Sequence, residues 1–514
     1  MDFFKSLTVG VNFDRAKLKR QLPKEVKCET IEIKDENEKP LKRKKYSEAY
    51  IKQKYQEKTN KLRKEYHINV KGPLEKEKPI ESFNELFQNF KINEQLKQNI
   101  LSLNYSKPTP VQMQVIPLFL KKTELKVSAS TGSGKTFAFL MPLIQNLLDE
   151  KESDKNFDGI HAIILVPTRE LAQQILSVAT RLCYETDIRA HIITSTNDQH
   201  MEKFHKKKTN ILISTPLKLV HFIKSSAMTM ENVKWIVIDE VDKLFEESNQ
   251  TFQPDLKVIL DACNNSDRKF ALFSATTTKE MTSWVHENLK EFATVNISPN
   301  MPVATVEQEL KYVGVESAKL QCIRDIFNEG IQPPILIFLQ SKDRAKQLFS
   351  ELMYDGINID VMHSDRSEKE RNEVYKNFRE GKIWVLICTE LMSRGIDFRN
   401  VSMVINFDLP QSLVSYIHRV GRVGRAGRTG KAITFYTNDD NKCGLLRDIA
   451  NLVKQSGSYV EPFLLNLKKS KKKERVALLK KAPKRKKIST KVNFTSKKEK
   501  KKKRKVVMKK LNMK

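Results

Sequence analysis

Residues 129–136 read Ala129-Ser130-Thr131-Gly132-Ser133-Gly134-Lys135-Thr136, and they end an apolar run that starts at Leu125. Two glycines in such a turn let backbone N–H groups approach a phosphate, and a following helix adds a favourable dipole. The lysine then reaches the terminal phosphates, and the threonine hydroxyl is suited to magnesium. The segment therefore predicts a strand, a phosphate-binding loop and a helix, an order typical of parallel α/β sheets.

Two further motifs complete a phosphoryl-transfer site. Asp239-Glu240-Val241-Asp242 follows the apolar run Trp235–Ile238, and His418-Arg419-Val420-Gly421-Arg422-Val423-Gly424-Arg425 lies far downstream. Acidic side chains at the end of a strand can hold magnesium and orient a water molecule. Arginines can neutralise the charge that develops on a transferred phosphoryl group. Together with the loop at 129–136, the motifs predict hydrolysis of a nucleoside triphosphate.

The charge of the chain is concentrated at one end. The 514 residues suffice for two or three domain cores and carry a net charge of +31. Residues 468–514 contain 24 Lys and Arg against 2 Asp and Glu, so the rest of the chain carries only +9. Such a polycationic segment binds polyanions through counterion release, largely without regard to sequence. It is equally compatible with a solvated, disordered end.

Several classes of protein are excluded by composition. The six cysteines contain no close pair, which argues against a Cys-x-x-Cys zinc or redox site and suggests a reducing compartment. No window approaches 18 uncharged apolar residues, and residues 1–5 are too charged for a secretory signal. We therefore expect a soluble intracellular protein without a membrane partner.

The chain divides into segments of different character. Residues 1–80 are rich in Lys and Glu, so we predict mostly disorder there, with one charged helix near Tyr46–Tyr66. After Ile80, short β-branched runs alternate with amphipathic stretches, which indicates parallel sheets covered by helices. The predicted segments are a disordered charged extension (1–80), a first α/β domain (81–298), a linker (299–305), a second α/β domain (306–463) and a disordered basic tail (464–514).

The predicted strands form two sets of about five. The first set is Leu125–Ala129, Ala162–Val166, Ile211–Ser214, Trp235–Ile238 and Phe270–Ser274. The second set is Ile335–Leu339, Ile357–Met362, Ile383–Cys388, Ser402–Asn406 and Ala432–Tyr436. Open α/β sheets bind ligands beyond the carboxyl ends of their strands, and each motif follows a strand. Because the motifs are divided between the two sets, we expect the site in the cleft between two domains.

These motifs resemble those of the DEAD-box ATP-dependent RNA helicases over about Phe83–Phe463. The resemblance implies two tandem RecA-like domains that close around ATP and single-stranded RNA, with Mg²⁺ as cofactor and a monomeric core. Pro108-Thr109-Pro110-Val111-Gln112 resembles the family's adenine-reading motif, in which the Gln112 amide would pair with the exocyclic amine and N7 of adenine. The family's upstream aromatic matches Phe83 or Phe87, and the spacing leaves both open.

The resemblance also implies roles at the ATP site. Residues 129–136 would bind the nucleotide, with Lys135 on the phosphates and Thr136 and Asp239 on magnesium. Glu240 would polarise the attacking water. The further residues it implies are Asp397 for the ribose, Arg422 and Arg425 as arginine fingers, and Asp242, Ser274, Thr276, His418 and Arg419 for coupling to RNA. The chain departs from the family at Val241, usually alanine, and at Val423, usually threonine.

RNA contacts carry over less completely. The matching positions are Pro167, Thr168, Arg169, Thr215, Pro216, Lys218, Arg371, Thr389, Arg394 and the run Phe338–Ser341. Lys218 replaces the usual arginine and so offers a point charge instead of a planar fork. The paired glycines that the family often carries are absent. His205-Lys206-Lys207-Lys208 could substitute electrostatically or could be a solvated loop.

Several segments resemble one subfamily, the nucleolar DEAD-box helicases of small-ribosomal-subunit assembly. They are Pro333–Phe338, Arg344–Lys346, Glu351–Val361 and Gly430–Thr437. This likeness implies pre-ribosomal RNA as substrate, pre-ribosomal proteins as partners, and a nuclear, nucleolar location. Two alternatives are a DNA translocase and a non-catalytic RNA clamp. The Gln112 motif argues against the first, and an intact set of Lys135, Glu240, Arg422 and Arg425 argues against the second.

Overall fold

The computed structural model describes most of the chain between the two ends. The described residues are 30–31, 43–44, 48–154, 157–193, 208–225, 230–245, 252–297, 306–330, 332–389, 398, 400–424, 429–440, 444–468, 483, 485, 487 and 488. Residues 1–62 form one compact unit and residues 63–514 another. In the first unit, β1 (Thr30–Ile31) pairs antiparallel with β2 (Arg43–Lys44). The charged helix predicted near Tyr46–Tyr66 is α1, Glu48–Glu65.

The first domain is built on one large sheet. Its strands are β3 (Ile68–Lys71), β4 (Glu124–Ser128), β5 (Ala162–Leu165), β6 (Ala190–Ile192), β7 (Ile211–Ser214), β8 (Trp235–Ile238), β9 (Lys269–Ser274) and β10 (Phe292–Ile297). They lie in the order β3-β10-β4-β9-β8-β5-β7-β6. All neighbouring pairs are parallel except β3 with β10, in which Val70 lies opposite Val295.

The second domain has a wholly parallel sheet. Its strands are β11 (Val306–Tyr312), β12 (Ile335–Leu339), β13 (Ile359–Met362), β14 (Val385–Thr389), β15 (Met403–Asn406) and β16 (Gly430–Tyr436). The order is β11-β16-β15-β12-β14-β13. Parallel strands need crossover connections, and helices supply them in both domains.

The helices of the two domains cover both faces of each sheet. Those of the first domain are α2 (Phe83–Asn89), α3 (Glu94–Ser102), α4 (Pro110–Leu120), α5 (Lys135–Ser153), α6 (Arg169–Leu182), α7 (Pro216–Lys224), α8 (Val241–Leu244), α9 (Phe252–Ala262) and α10 (Lys279–Asn288). Those of the second are α11 (Ala318–Asn328), α12 (Lys342–Leu352), α13 (Glu368–Arg379), α14 (Leu413–Val420), α15 (Gly444–Gln455) and α16 (Pro462–Leu465). None of the helices described here has the length and apolar composition to cross a bilayer.

Each domain has two apolar cores, one on each face of its sheet, because successive side chains of a strand point to opposite faces. On β5, Ile163 and Ile164 belong to different buried clusters, and on β12 Ile337 and Phe338 do the same. Successive strand side chains point to opposite faces, so a strand buried on both sides is apolar throughout. This confirms the predicted fold class, two α/β domains with parallel sheets.

The predicted number of strands was too low. The first sheet also contains β3, β6 and β10, and the second also contains β11. The domain boundary predicted at residue 81 is wrong as well, since β3 is part of the first sheet. In β3, Ile68 and Val70 are buried while Asn69 and Lys71 are exposed. Two apolar residues among charged neighbours are too weak a pattern to predict an edge strand. The predicted linker 299–305 lies outside the described residues.

The boundary predicted at residue 464 also needs correction. Leu464 is buried in α16, and two residues of the predicted tail, Arg485 and Ile488, are largely buried against the second domain. Their neighbours Pro483 and Lys487 are exposed. The sequence conceals these contacts because the partners of Arg485 lie far away in the chain. In the predicted extensions, residues 1–29, 32–42, 45–47, 469–482, 484, 486 and 489–514 lie outside the described part of the chain.

Candidate active site

The predicted phosphate-binding loop joins β4 to α5 at the carboxyl edge of the first sheet. Gly132 and Gly134 have φ angles of +75° and +94°, in the left-handed region that favours glycine. A Cβ on Gly134 would lie 2.5 Å from Nε2 of Gln112. The Ala129 N–H donates to the Ser274 carbonyl at 3.0 Å, which ties the loop to the neighbouring strand β9. The strand, loop and helix therefore occur as predicted.

Lys135, the first residue of α5, turns back into the loop. Its Nζ donates to the carbonyl oxygens of Ala129 at 2.8 Å and Ser130 at 3.4 Å, and the side chain is buried. An ammonium group has three donors, so this arrangement leaves one for a phosphate oxygen. The next residue, Thr136, is only partly buried and stands at the start of the helix, where its hydroxyl can reach a ligand.

Gln112 is held between its own turn and the phosphate loop. Its Oε1 accepts from the Thr109 N–H at 3.0 Å, and its Nε2 donates to the Gly134 carbonyl at 3.2 Å. An amide has two acceptor sites and two donors, so one of each remains. The remaining acceptor could receive a hydrogen bond from the exocyclic amine of adenine, and the remaining donor could serve its N7. Phe83 packs edge-on against Phe137 in the core, while Phe87 is only half-buried, and their assignment stays open.

Two carboxylates lie beyond β8 next to the loop. Asp239 Oδ1 accepts from the Glu240 N–H at 2.9 Å, and Glu240 has a left-handed φ of +50°. Burial raises the pKa of Asp239 to about 6, although the Lys135 ammonium acts in the opposite direction. Glu240 Oε2 is buried and has no hydrogen-bond partner among the described residues. Mg²⁺ is a hard cation that prefers oxygen ligands and keeps several waters. The Asp239 carboxylate, which burial destabilises, and the unsatisfied Oε2 of Glu240 both fit such an ion.

Asp242 connects the two domains. Its Oδ2 accepts from the Thr276 N–H at 3.0 Å, the Thr276 hydroxyl at 2.8 Å and Nε2 of His418 at 3.1 Å. Burial alone would raise the pKa of Asp242, but His418 and the other donors hold it well below its usual range. The Ser274 hydroxyl binds the Thr276 carbonyl and fixes the end of β9. Four of the five predicted coupling residues are therefore adjacent.

A second contact joins the phosphate loop to the arginine motif. The Thr131 hydroxyl donates to the Gly421 carbonyl at 3.1 Å. Arg422 is buried, and its Nε donates to the His418 carbonyl at 3.2 Å. Sequence reasoning missed the Thr131 contact, because it runs from a side chain to a backbone oxygen. Arg425, Asp397 and Arg394 lie outside the described residues, as do three residues of the basic run 205–208.

Arg419 faces the interior of the second domain instead. It donates to the Asp408 carbonyl at 3.0 Å and lies over the Phe338 ring, 5.3 Å from its centroid. These contacts are thus with strand ends of the second domain, and the coupling role predicted for Arg419 stays a prediction. Asp408 was not predicted as a site residue, although a lone acid directly after the apolar run of β15 was the available signal.

Two of the predicted RNA-contact residues, Arg169 and Arg371, line a cleft between the two domains. The Thr168 hydroxyl accepts from the Leu171 N–H at 3.3 Å and caps α6, which begins at Arg169 after Pro167. A cleft of about 260 Å³ is lined by α6 on one side and α13 on the other. Across it, Arg371 Nη2 lies 3.4 Å from Glu170 Oε1. A larger cavity of about 700 Å³, at the amino ends of β11 and β15, contains none of the predicted residues.

The other RNA candidates also stand at element ends. Thr215 precedes α7, Pro216 is its first residue, and Lys218 follows one turn on. Thr389 ends β14 and is nearly buried, at 9% exposure. In both sheets these positions lie at the carboxyl edge, where ligands bind in open α/β folds.

The chain matches known proteins over both domains. Residues 109–284 match the family described as DEAD/DEAH box helicase, and residues 318–427 match the helicase conserved C-terminal domain. A Bos taurus protein named probable ATP-dependent RNA helicase DDX52 is 41% identical over 90% of this chain and 77% of its own length. ATP-dependent RNA helicase ROK1 of Saccharomyces cerevisiae is 37% identical over 81% and 74%. The structure of S. cerevisiae Dbp5 bound to RNA and ADP BeF3 is similar with a TM-score of 0.63 and 25% identity, over 74% of this chain and 95% of that one.

Proposed function

Because the chain belongs to the DEAD-box family of ATP-dependent RNA helicases, which hydrolyse ATP, we propose that RNA stimulates this hydrolysis and that closure of the two domains separates short RNA duplexes. The observation that carries the proposal is the bond network of Asp242. One carboxylate oxygen there receives donors from Thr276 of the first domain and His418 of the second. A change on one side can therefore reach the other through this buried carboxylate.

Hydrolysis would be performed by residues around the phosphate loop. Lys135 would bind the terminal phosphates, and Glu240 would orient the attacking water through its unpaired oxygen. Thr136 and Asp239 would hold Mg²⁺, which when bound neutralises charge on the phosphates. Arg422 and Arg425 would stabilise the charge of the transition state, and removal of such a finger typically costs on the order of 10³–10⁵ in rate.

Binding of the nucleotide and of RNA would use the remaining candidates. Gln112 would read adenine, and Asp397 would take the ribose. The candidates for RNA are the cleft residues Arg169 and Arg371 with Thr168, Thr215, Lys218, Thr389 and Arg394. Contacts to 2′-hydroxyl groups would distinguish RNA from DNA.

The physiological substrate that we propose is pre-ribosomal RNA. This rests on the subfamily resemblance of the sequence together with the identity to the DDX52 and ROK1 proteins. It brings with it pre-ribosomal proteins as partners, a monomeric catalytic core and a nuclear, nucleolar location. Mapping the RNA crosslinked to the protein in cells would test it. Crosslinks spread over messenger RNA, with none on pre-ribosomal RNA, would overturn this assignment.

The activity itself is tested by comparing nucleic acids. ATP hydrolysis should rise at least about tenfold with single-stranded RNA and much less with DNA of the same sequence. A Glu240→Gln preparation controls for contaminating ATPases. Equal stimulation by DNA would favour a translocase, and no hydrolysis with either would favour a non-catalytic clamp. Separation of a duplex of about ten base pairs, measured with an excess of capture strand, completes the test.

A further inference from the structure

An acidic pocket lies at the carboxyl edge of the second sheet, apart from the residues assigned to the ATP site. It shares Asp408 with the contact of Arg419, and Gln340 with the RNA candidates Phe338–Ser341. Its three carboxylates are Glu316, Asp408 and Asp440, which follow β11, β15 and β16, and Gln340 follows β12 beside them. These strands are consecutive in the sheet, in the order β11-β16-β15-β12. The topology thus brings together residues that are more than a hundred positions apart.

The side chain of Arg485, from the basic tail, occupies this pocket. Its Nη1 lies 3.1 Å from Glu316 Oε2, and its Nη2 lies 2.8 Å from Asp440 Oδ1. Its Nε donates to Gln340 Oε1 at 3.1 Å and lies 3.6 Å from Asp408 Oδ1. The arginine side chain is only 6% exposed. A planar guanidinium presents five donors in a fixed fork, whereas a lysine ammonium has three donors on a single nitrogen.

Charge balance in the pocket depends on Arg485. Lys319 lies 3.1 Å from Glu316 and 3.4 Å from Asp408, and Arg344 lies 2.8 Å from Asp408. These two cations face three carboxylates, so Arg485 supplies the third positive charge. Leaving a buried carboxylate without a partner is costly. Burial would raise the pKa of Asp440, but Arg485 holds it below its usual range.

Two more contacts hold the tail on either side of Arg485. Gln340 Nε2 donates to the Pro483 carbonyl at 2.7 Å, and the Ile488 N–H donates to Gln347 Oε1 at 3.1 Å. The Ile488 side chain is 9% exposed and joins the apolar cluster of α11, α12 and the sheet. Lys487, one position earlier, is exposed. The tail is therefore bound through backbone, charge and apolar contacts together.

We propose that the acidic pocket is a docking site for the part of the tail that carries Pro483, Arg485 and Ile488, with Arg485 as its anchor. Docking holds the polycationic segment at the carboxyl edge of the second domain, where Gln340 of the RNA-candidate run Phe338–Ser341 contacts it directly. The basic tail then acts as an additional RNA-binding segment that is attached to the second domain. This last step rests on the proposed RNA-dependent function, whereas docking itself does not.

Amide hydrogen exchange on the full chain tests docking. Arg485→Ala should speed exchange in the peptide containing the Ile488 amide by at least about tenfold, because loss of the anchor exposes that hydrogen bond to solvent. Lys487→Ala removes the same charge from an exposed position and should leave this exchange near that of the wild type. Equal exchange in the two variants would overturn the proposal.

A second variant tests docking in case Arg485→Ala unfolds the second domain. Ile488→Asp removes the apolar anchor without touching the acidic pocket, so it should release the same peptide while α11 and α12 keep their protection. If this peptide exchanges as slowly in Ile488→Asp as in the wild type, docking is overturned. That conclusion holds even if Arg485→Ala unfolds the domain.

The consequence for RNA is measured by the RNA concentration that gives half-maximal ATPase stimulation. Arg485→Ala should raise it at least about threefold relative to Lys487→Ala, since both lose one charge and only the first loses the attachment. If the two variants need the same RNA concentration but still differ in amide exchange, the RNA-binding role of the attached tail is overturned and its docking is not. Absence of RNA stimulation in the wild type would instead refute the proposed function.

Discussion

At the scale of single residues, the site combines groups that are unfavourable in isolation. Asp239 is buried with a raised pKa, Glu240 adopts a left-handed backbone, and one oxygen of Glu240 lacks a partner among the described residues. Such strain and unsatisfied polarity are expected where a site is built for a ligand. Their cost is present in the nucleotide-free protein and can therefore be measured there.

Asp239→Asn should stabilise the nucleotide-free protein at neutral pH. The carboxyl titrates at its ordinary pKa of 3.8 when unfolded and at about 6 when folded, so folding favours its protonated form. The contribution of this carboxyl to stability should therefore fall as pH rises from about 4 to about 6, by on the order of 3 kcal/mol, and the difference between variant and wild type should grow over that range. Thermal unfolding at pH 4, 5 and 7.5 checks this. The gain of the variant should vanish at pH 4, and a gain independent of pH would contradict the cause.

Lys135→Ala and Glu240→Gln should fail at different steps. The lysine would contact phosphates before reaction, so its loss should abolish nucleotide binding. The glutamate would act on the attacking water, so the glutamine variant should bind ATP normally and hydrolyse it at least about a hundredfold more slowly. Fluorescent-nucleotide binding and phosphate release separate the two effects. Near-normal hydrolysis by Glu240→Gln would show that this role is wrongly assigned.

At the scale of elements, short edge segments complete the domains. β3 extends the first sheet through antiparallel pairing with β10, and its buried residues Ile68 and Val70 alternate with exposed ones. Edge strands need only one apolar face, so charged residues can occupy the rest of them. The first domain therefore begins before residue 81.

Val70→Asp should destabilise the first domain, whereas Asn69→Asp should not. Val70 is 4% exposed and lies opposite Val295, so a carboxylate there would be buried without a partner. We expect a loss of on the order of 3 kcal/mol, which corresponds to about 6–12 °C in melting temperature for a domain of this size. Differential scanning calorimetry of both variants measures it. Similar melting of the two variants would mean that β3 contributes nothing to stability.

At the scale of the whole molecule, the two domains meet through a small number of specific atoms. The Asp242 network and the contact from Thr131 of the phosphate loop to the Gly421 carbonyl join them. A substitution that blocks one of these contacts should therefore affect how the two domains meet more than it affects either fold.

Gly421→Ala should impair closure for a steric reason. Its φ of −66° accepts alanine, but the new Cβ would clash with the Thr131 hydroxyl, while the Thr131 Cβ lies at an ordinary 3.7 Å. RNA-stimulated turnover should fall at least about tenfold, equivalent to 1.4 kcal/mol. In a Thr131→Ala background the same substitution should cost much less. Equal losses in both backgrounds would locate the defect elsewhere.

Removal of residues 489–514 should weaken RNA binding through charge alone. The segment contains 12 Lys and Arg against one Glu, and its removal leaves Pro483, Arg485 and Ile488 in the chain. Each phosphate contact adds about 0.7 to the salt slope for single strands, so the slope should flatten by several units. Turnover at saturating RNA should hardly change. RNA binding titrated between 50 and 200 mM salt, as an approximate working range, measures this, and an unchanged slope would mean that the segment does not contact RNA.

Local sequence patterns were enough to predict the parallel α/β class, the order of loop and helix at 129–136 and the strands that carry the motifs. Buried strands and glycine-rich turns are specified locally, by continuous apolar runs and by backbone conformations that glycine accepts. Tertiary structure alone decided that Thr131 meets Gly421, that Arg419 turns inward to Asp408, that β3 joins the first sheet, and that Arg485 closes a charge cluster of distant carboxylates. These contacts depend on which strands and loops become neighbours in the folded chain. Strand order follows from the packing of the whole sheet, so it cannot be predicted from a local pattern of residues.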